Sequence, residues 1–140
     1  MKKKIAAVVA GFFVQLTGLY LIHSIWLAKD YLATASLWLP IETRYARGWA
    51  TLLGTLIYVI GVVWIYSRGV ESKPWMGQGV RFGIVLALIT IVYDSSAAWN
   101  MMPVPTSLVE KWIIGEGFLC IILSLVVAAI CQPKSTTTST

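Results

Sequence analysis

Two stretches of this chain, residues 5–28 and 48–67, contain no Lys, Arg, Asp or Glu. At a rise of about 1.5 Å per residue, roughly 20 apolar residues cross the ~30 Å of hydrocarbon in a bilayer, so each stretch is long enough to span one. Such runs constrain a chain severely, because in lipid every backbone N–H and C=O must be paired and only helices or closed barrels achieve that. Two further stretches carry some charge. Residues 80–99 hold Arg81 and Asp94, and residues 107–131 hold Glu110, Lys111 and Glu116, while their interiors stay apolar. The sequence therefore predicts one all-α domain over 1–132 with spans at about 5–27, 48–67, 80–99 and 107–131, and a disordered tail at 133–140.

Composition excludes several classes. Hydrophobic residues make up 58% and charged residues 12%, against about 45–50% and ~25% in soluble domains. One His and two Cys rule out a zinc-finger module and a disulfide scaffold. A single His also provides no second axial ligand for a b-type haem within one chain. Cys120 and Cys131 are eleven residues apart on one predicted helix, roughly 16 Å by rise and too far to bridge. No nucleotide, cofactor or nucleophile motif is present, so neither a cofactor nor an enzymatic activity is expected.

Lys2, Lys3 and Lys4 before an apolar run imitate a secretory signal peptide. The run is longer than the usual 7–15 residues, and the small-residue pattern Ala33-Thr34-Ala35 lies beyond Lys29 and Asp30. It reads as a retained first span. Lys2, Lys3, Lys4, Arg68, Lys73, Arg81 and Lys134 place seven basic residues on one side, and Lys29, Arg44, Arg47 and Lys111 place four on the other. The positive-inside rule then puts both termini in the cytoplasm. The net charge of +5 is accounted for by topology and anionic lipid, so no nucleic acid partner is implied.

The first outer loop, between Lys29 and Arg47, is the longest connection, with Pro40 expected to start an extra turn leading into the second span. Its aromatic residues suit the headgroup level, and Trp26, Trp38, Trp49, Trp75, Trp99 and Trp112 are expected interfacial anchors. Helices in lipid pack through small residues that let backbones approach. Gly11 and Gly18, Gly54 and Gly61, the Gly79, Gly83, Ala87 ridge and the Cys120, Ser124, Ala128 ridge are the expected packing stripes, each at helical spacing.

By the same spacing Asp94 and Glu116 share the packed faces of their helices, and His23 lies one turn after Tyr20 near the outer end of the first span. An ionisable group at mid-membrane costs at least ~2.5–3.5 kcal/mol on insertion scales, which marks it as a functional candidate. His23, Asp94 and Glu116, with Tyr20 and Tyr93, form a candidate intramembrane polar network. Three roles stay open for it: fixing helix register, relaying protons, or ligating a metal ion.

The segment Tyr31-Leu32-Ala33-Thr34-Ala35-Ser36-Leu37-Trp38-Leu39-Pro40-Ile41-Glu42, the run Gly77-Gln78-Gly79-Val80-Arg81-Phe82-Gly83, and Met102-Pro103-Val104-Pro105 followed by Lys111-Trp112 and Glu116 together resemble an uncharacterised family of small bacterial four-span integral membrane proteins. The resemblance implies a bacterial inner-membrane location and matches His23 and Glu116 to a His and an acid that recur there. Leu39 departs from that pattern, which more often has Arg.

The architecture expected is an integral membrane antiparallel four-helix bundle with an interfacial first outer loop. The leading function is a small non-enzymatic accessory or structural subunit that packs against other membrane subunits or itself within the lipid bilayer. The alternative is a small proton- or ion-coupled transporter or channel using Glu116, Asp94 and His23.

Overall fold

The computed structural model describes residues 1–132; the tail 133–140, including Lys134 and the segment expected to be disordered, lies outside the described residues. Four helices are long and apolar enough to cross a membrane: Lys2–Trp26, Gly48–Arg68, Trp75–Met101 and Thr106–Cys131. Their 25, 21, 27 and 26 residues correspond to roughly 30–40 Å of rise. The third begins at Trp75, five residues before the position expected from hydropathy. Pro74 is extended, with φ −52° and ψ 124°, and sets the first helical residue immediately after it. Hydropathy marks only the lipid-soluble part of a helix, whereas hydrogen bonding carries the helix on past Gln78 and Arg81 into more polar surroundings.

Between the first and second spans the chain folds into two short helices, Ala28–Ala33 and Ile41–Ala46, with a 3-10 turn at Ala35–Leu37. The second of these follows Pro40 directly. We call this the loop end of the bundle, and the opposite end, which holds Met1, Gln132 and the turn from Ser67 to Pro74, the terminal end.

The fourth span lies at the centre, packed on the first and third. Numbers rise along it as they fall along its neighbours. Gly11 touches Val59 and Leu123, Gly18 sits on Leu119, Gly79 faces Leu125 and Ala128, and Gly83 faces Ile121. The approach at Gly83 is between backbones, since a Cβ there would stand 2.6 Å from Ile121 Cα. Ala7, Val59, Val62, Val63, Leu86, Leu123 and Val127 fill the core with Cys120 and Ala128, and Tyr66 lies edge-on to Phe82 at 5.3 Å. Lys3 Nζ donates to the Gln132 carbonyl at 2.7 Å and ties the two ends of the described chain together.

Two expected packing residues do not pack. A Cβ on Gly54 or Gly61 would meet nothing within 4 Å. The buried stripe of the second span is Thr55, Val59, Val62, Val63 and Tyr66, and each glycine lies one position off it, turned by roughly 100°. Spacing showed that the two glycines share a face; it did not show which face another helix covers. Gly115, not singled out by spacing, is the one pressed against the Trp26 ring.

Candidate functional site

The first and third spans each change pitch at the loop end. Residues Tyr20–Trp26 and Leu88–Val92 are wound as π-helix, a wider turn that occurs mostly as an insertion within α-helix and frequently at functional sites. Its effect on facing is direct. In an α-helix each residue turns the chain by roughly 100°, so Asp94, eleven residues after Gly83, would return to within about 20° of the same face. The extra residue of a π turn rotates the residues beyond it by about a quarter turn or more. Ser95, only 5% exposed, consequently takes the buried position, and Asp94 is exposed beside it.

His23 lies in the first of these wide turns and faces the fourth span. Its Nε2 is 3.3 Å from Glu116 Oε1, and its Nδ1 is 2.7 Å from the Tyr31 hydroxyl. Trp112 Nε1, which only donates, gives its hydrogen to the same Tyr31 oxygen at 2.7 Å. Donor and acceptor roles are then fixed along the chain. With the imidazole neutral, the Tyr31 O–H donates to Nδ1, so Nε2 carries the hydrogen and stands at ion-pair distance from the carboxylate. Burial pushes the Tyr31 phenol up to about 12 from 10.0, opposed by the Trp112 hydrogen bond and reinforced by the charges of Glu116 and Asp30. Tyr31 is therefore a hydroxyl donor at any physiological pH.

The loop helix that carries Tyr31 is pinned at both ends. Lys111 Nζ donates to Asp30 Oδ1 at 2.6 Å, an ion pair between the loop and the fourth span. Thr34 Oγ1 donates to the Asp30 carbonyl at 2.8 Å and accepts from Trp38 Nε1 at 2.9 Å. The Trp38 ring then lies edge-on to Tyr31 at 5.3 Å and to Trp112 at 6.2 Å. Three aromatic rings and two hydrogen bonds thus form a lid over the His23–Glu116 pair.

Beside the pair is a cavity of about 260 Å³ bordered by His23, Tyr31, Asp94, Ser95, Trp112 and Glu116, with Ile91 and Ala98 as apolar wall. All three expected ionisable residues therefore border one space. His23 and Tyr31 also form a wall of a second cavity, about 650 Å³, which continues under the loop toward Trp38, Pro40 and Arg44. Among the described residues no three His, Cys, Asp or Glu side chains stand close enough to hold a metal ion, so the metal role weighed from sequence has no geometry behind it.

Several expected members stand elsewhere. Tyr20 is 61% and Tyr93 70% exposed, and neither joins the network. Trp49 and Trp99 are exposed, Trp26 is half exposed with its ring against Gly115, Trp38 and Trp112 turn inward to Tyr31, and Trp75 packs against the core. Cys120, Ser124 and Ala128 lie buried along the fourth span, and Ala87 is half-buried on the third, close to Gly117. Tyr31, Asp30 and Lys111 are not among the site residues expected from sequence, and Trp112 is expected there only as an interfacial anchor. Hydropathy treats a loop tyrosine and a span-end tryptophan as headgroup aromatics, and only the pairing of Asp30 with Lys111 across the chain hints at a folded loop. No family model, no curated protein and no solved structure matches this chain, so its function rests on the site's own geometry.

Proposed function

We propose that this chain is a small, non-enzymatic protein of the bacterial inner membrane, an antiparallel four-helix bundle with both termini cytoplasmic, that acts as a proton-coupled carrier through His23, Glu116 and Asp94. The observation that carries the reading is the run Trp112–Tyr31–His23–Glu116, two hydrogen bonds followed by an ion-pair contact, beside a cavity that Asp94 also borders. Adding a proton to His23 places a hydrogen on Nδ1, which then donates to Tyr31 instead of accepting from it. Tyr31 must turn its own hydrogen elsewhere, so one proton on the first span is felt in the loop helix that covers the cavity. Toward the terminal end the core is mainly apolar, built from Ala7, Val59, Val62, Leu123 and Val127, with Gln15 and Ser124 buried among them. A site covered by a hydrogen-bonded loop at one end and bounded by close packing at the other suits a carrier that changes conformation better than a continuous pore.

Proteoliposomes loaded with a pH-sensitive dye test the proposal. The wild-type chain should dissipate an imposed pH gradient, and Glu116→Gln and His23→Asn should slow that by tenfold or more; equal rates for variants and wild type would refute it.

A second reading, an accessory subunit packed against another membrane helix or a copy of itself, is favoured by Gly54 and Gly61, which lie on a face of the second span that nothing in the described chain covers. Native mass determination after gentle extraction tests it. Association that Gly54→Leu abolishes would support this reading, and a monomer at all concentrations would end it.

A further inference from the structure

We infer that the cavity beside His23 takes a small organic ammonium ion, bound in exchange for the proton. This deepens the carrier reading above and rests on it. Charge comes first. Asp94 and Glu116 both border the cavity, while Lys111, the nearest lysine in the sequence to Glu116, is already paired with Asp30. Protonated His23 is the cavity's own cation. When His23 is neutral the two carboxylates leave the space with surplus negative charge, which favours a cation.

The lining selects the kind of cation. A metal ion lacks a converging set of three ligands among the described residues. An alkylammonium needs hydrogen-bond acceptors for its N–H groups and an apolar or aromatic wall for its carbons. Glu116 and Asp94 are acceptors, and so is the Ser95 hydroxyl, which borders the cavity on a residue only 5% exposed and makes no hydrogen bond to other described residues. The Tyr31 and Trp112 rings, with Ile91 and Ala98, form the wall. The volume, about 260 Å³, holds several water-sized groups at about 30 Å³ each, so an amine of a few carbons fits.

Exclusion between the two cations is a matter of proximity. An ammonium ion in this space lies beside His23, and two positive charges there repel, so binding the amine favours loss of the His23 proton and the reverse. The groups facing His23 are Tyr31 from the loop helix, Glu116 from the fourth span and Asp94 across the cavity on the third, with Arg44 at the far side of the second cavity that His23 also lines.

Titration calorimetry of the full chain in lipid nanodiscs tests this, with n-propylammonium chloride as probe and n-propanol and sodium chloride as controls. The amine should bind saturably and release protons, the controls should not bind, and Asp94→Asn should weaken the amine about tenfold without lowering the melting temperature, since Asp94 is exposed and unpaired among the described residues. Equal binding of n-propanol, displacement by sodium at the same concentration, or unchanged affinity in Asp94→Asn would overturn the inference. Dissipation of a pH gradient without amine binding would overturn it while leaving the carrier reading intact. Saturable binding with no gradient dissipation would uphold it and remove the carrier reading.

Discussion

The two ends of this bundle are held by different forces. At the terminal end Gly79 and Gly83 bring the third span against the backbone of the fourth, and the apolar core closes around Val59, Leu123 and Val127. Apart from the bond from Lys3 to the Gln132 carbonyl, hydrogen bonds there are local, and the buried Tyr66 hydroxyl has no partner among the described residues. Gln78 accepts from the Glu71 N–H at 2.9 Å and donates to the Glu71 and Lys73 carbonyls at 3.0 and 2.7 Å, closing its own turn. Glu71 pairs with Lys73, whose ammonium holds the carboxyl below its ordinary range. At the loop end, by contrast, hydrogen bonds run between elements far apart in the chain, and Asp94 and Ser95 are left without partners among the described residues. Close packing fixes one geometry, while a hydrogen-bond chain with open valences has more than one arrangement available. The terminal end rests mainly on close packing, and the loop end mainly on hydrogen bonds and an ion pair.

The sharpest way to break that contrast is at Gly83. Gly83→Val drives a side chain into the Ile121 backbone and should cost about 3 kcal/mol or more, read as a lower melting temperature in detergent. Gly54→Ala, on the uncovered face, should stay within ~0.5 kcal/mol; a large loss there would show that the second span packs more tightly than its neighbours in the chain suggest.

Tyr31→Phe comes next. It strands the Trp112 N–H and leaves His23 Nδ1 without its donor, at a cost of about 1–3 kcal/mol. The same residue makes a pH prediction. Its folded pKa of about 12 lies above the ordinary 10.0, so the folded state favours the neutral phenol. The associated stability is fully present below pH 10 and is lost as pH rises through 12. Ultraviolet difference titration should show one tyrosine ionising near 12 that is absent in Tyr31→Phe; loss in Tyr31→Phe of a tyrosine ionising near 10 instead would mean that the lid does not bury Tyr31.

The smallest effect is expected at Lys111→Met. The Asp30–Lys111 pair is partly exposed, with side-chain exposures of 27% and 37%, and such pairs contribute about 0.2–1 kcal/mol, screened by salt. Stability should fall slightly in low salt and the difference should fade at high salt, while limited proteolysis between Ala33 and Pro40 accelerates as the lid loosens.

Much of the fold is legible in the sequence alone. Transfer into lipid is a sum over residues, so charge-free runs locate spans without knowledge of their neighbours, and the spans begin and end within a few residues of where hydropathy puts them. His23 and Glu116 are legible as candidates for a similar reason: an ionisable group in an apolar run stands out wherever it ends up pointing. Facing is another matter. The wide turn at Leu88–Val92 carries Asp94 off the seam and puts Ser95 there, and nothing in a run of Leu, Ile, Thr, Ile and Val signals one extra residue per turn. Gly54 and Gly61 fail in the same way, since periodicity relates residues of one helix to each other and not to the helix beside them.

What the sequence by itself determined is that four stretches must be helical and apolar and that a few ionisable side chains must be carried among them, because both follow from the free energy of placing each group in lipid. What only the tertiary structure decided is which of those side chains meet. The contact of His23 with Glu116, the lid of Tyr31, Trp38 and Trp112, and the place of Ser95 at the cavity wall depend on helix rotation and on hydrogen bonds across the chain. Those are pairwise energies, and they exist only once the helices have packed.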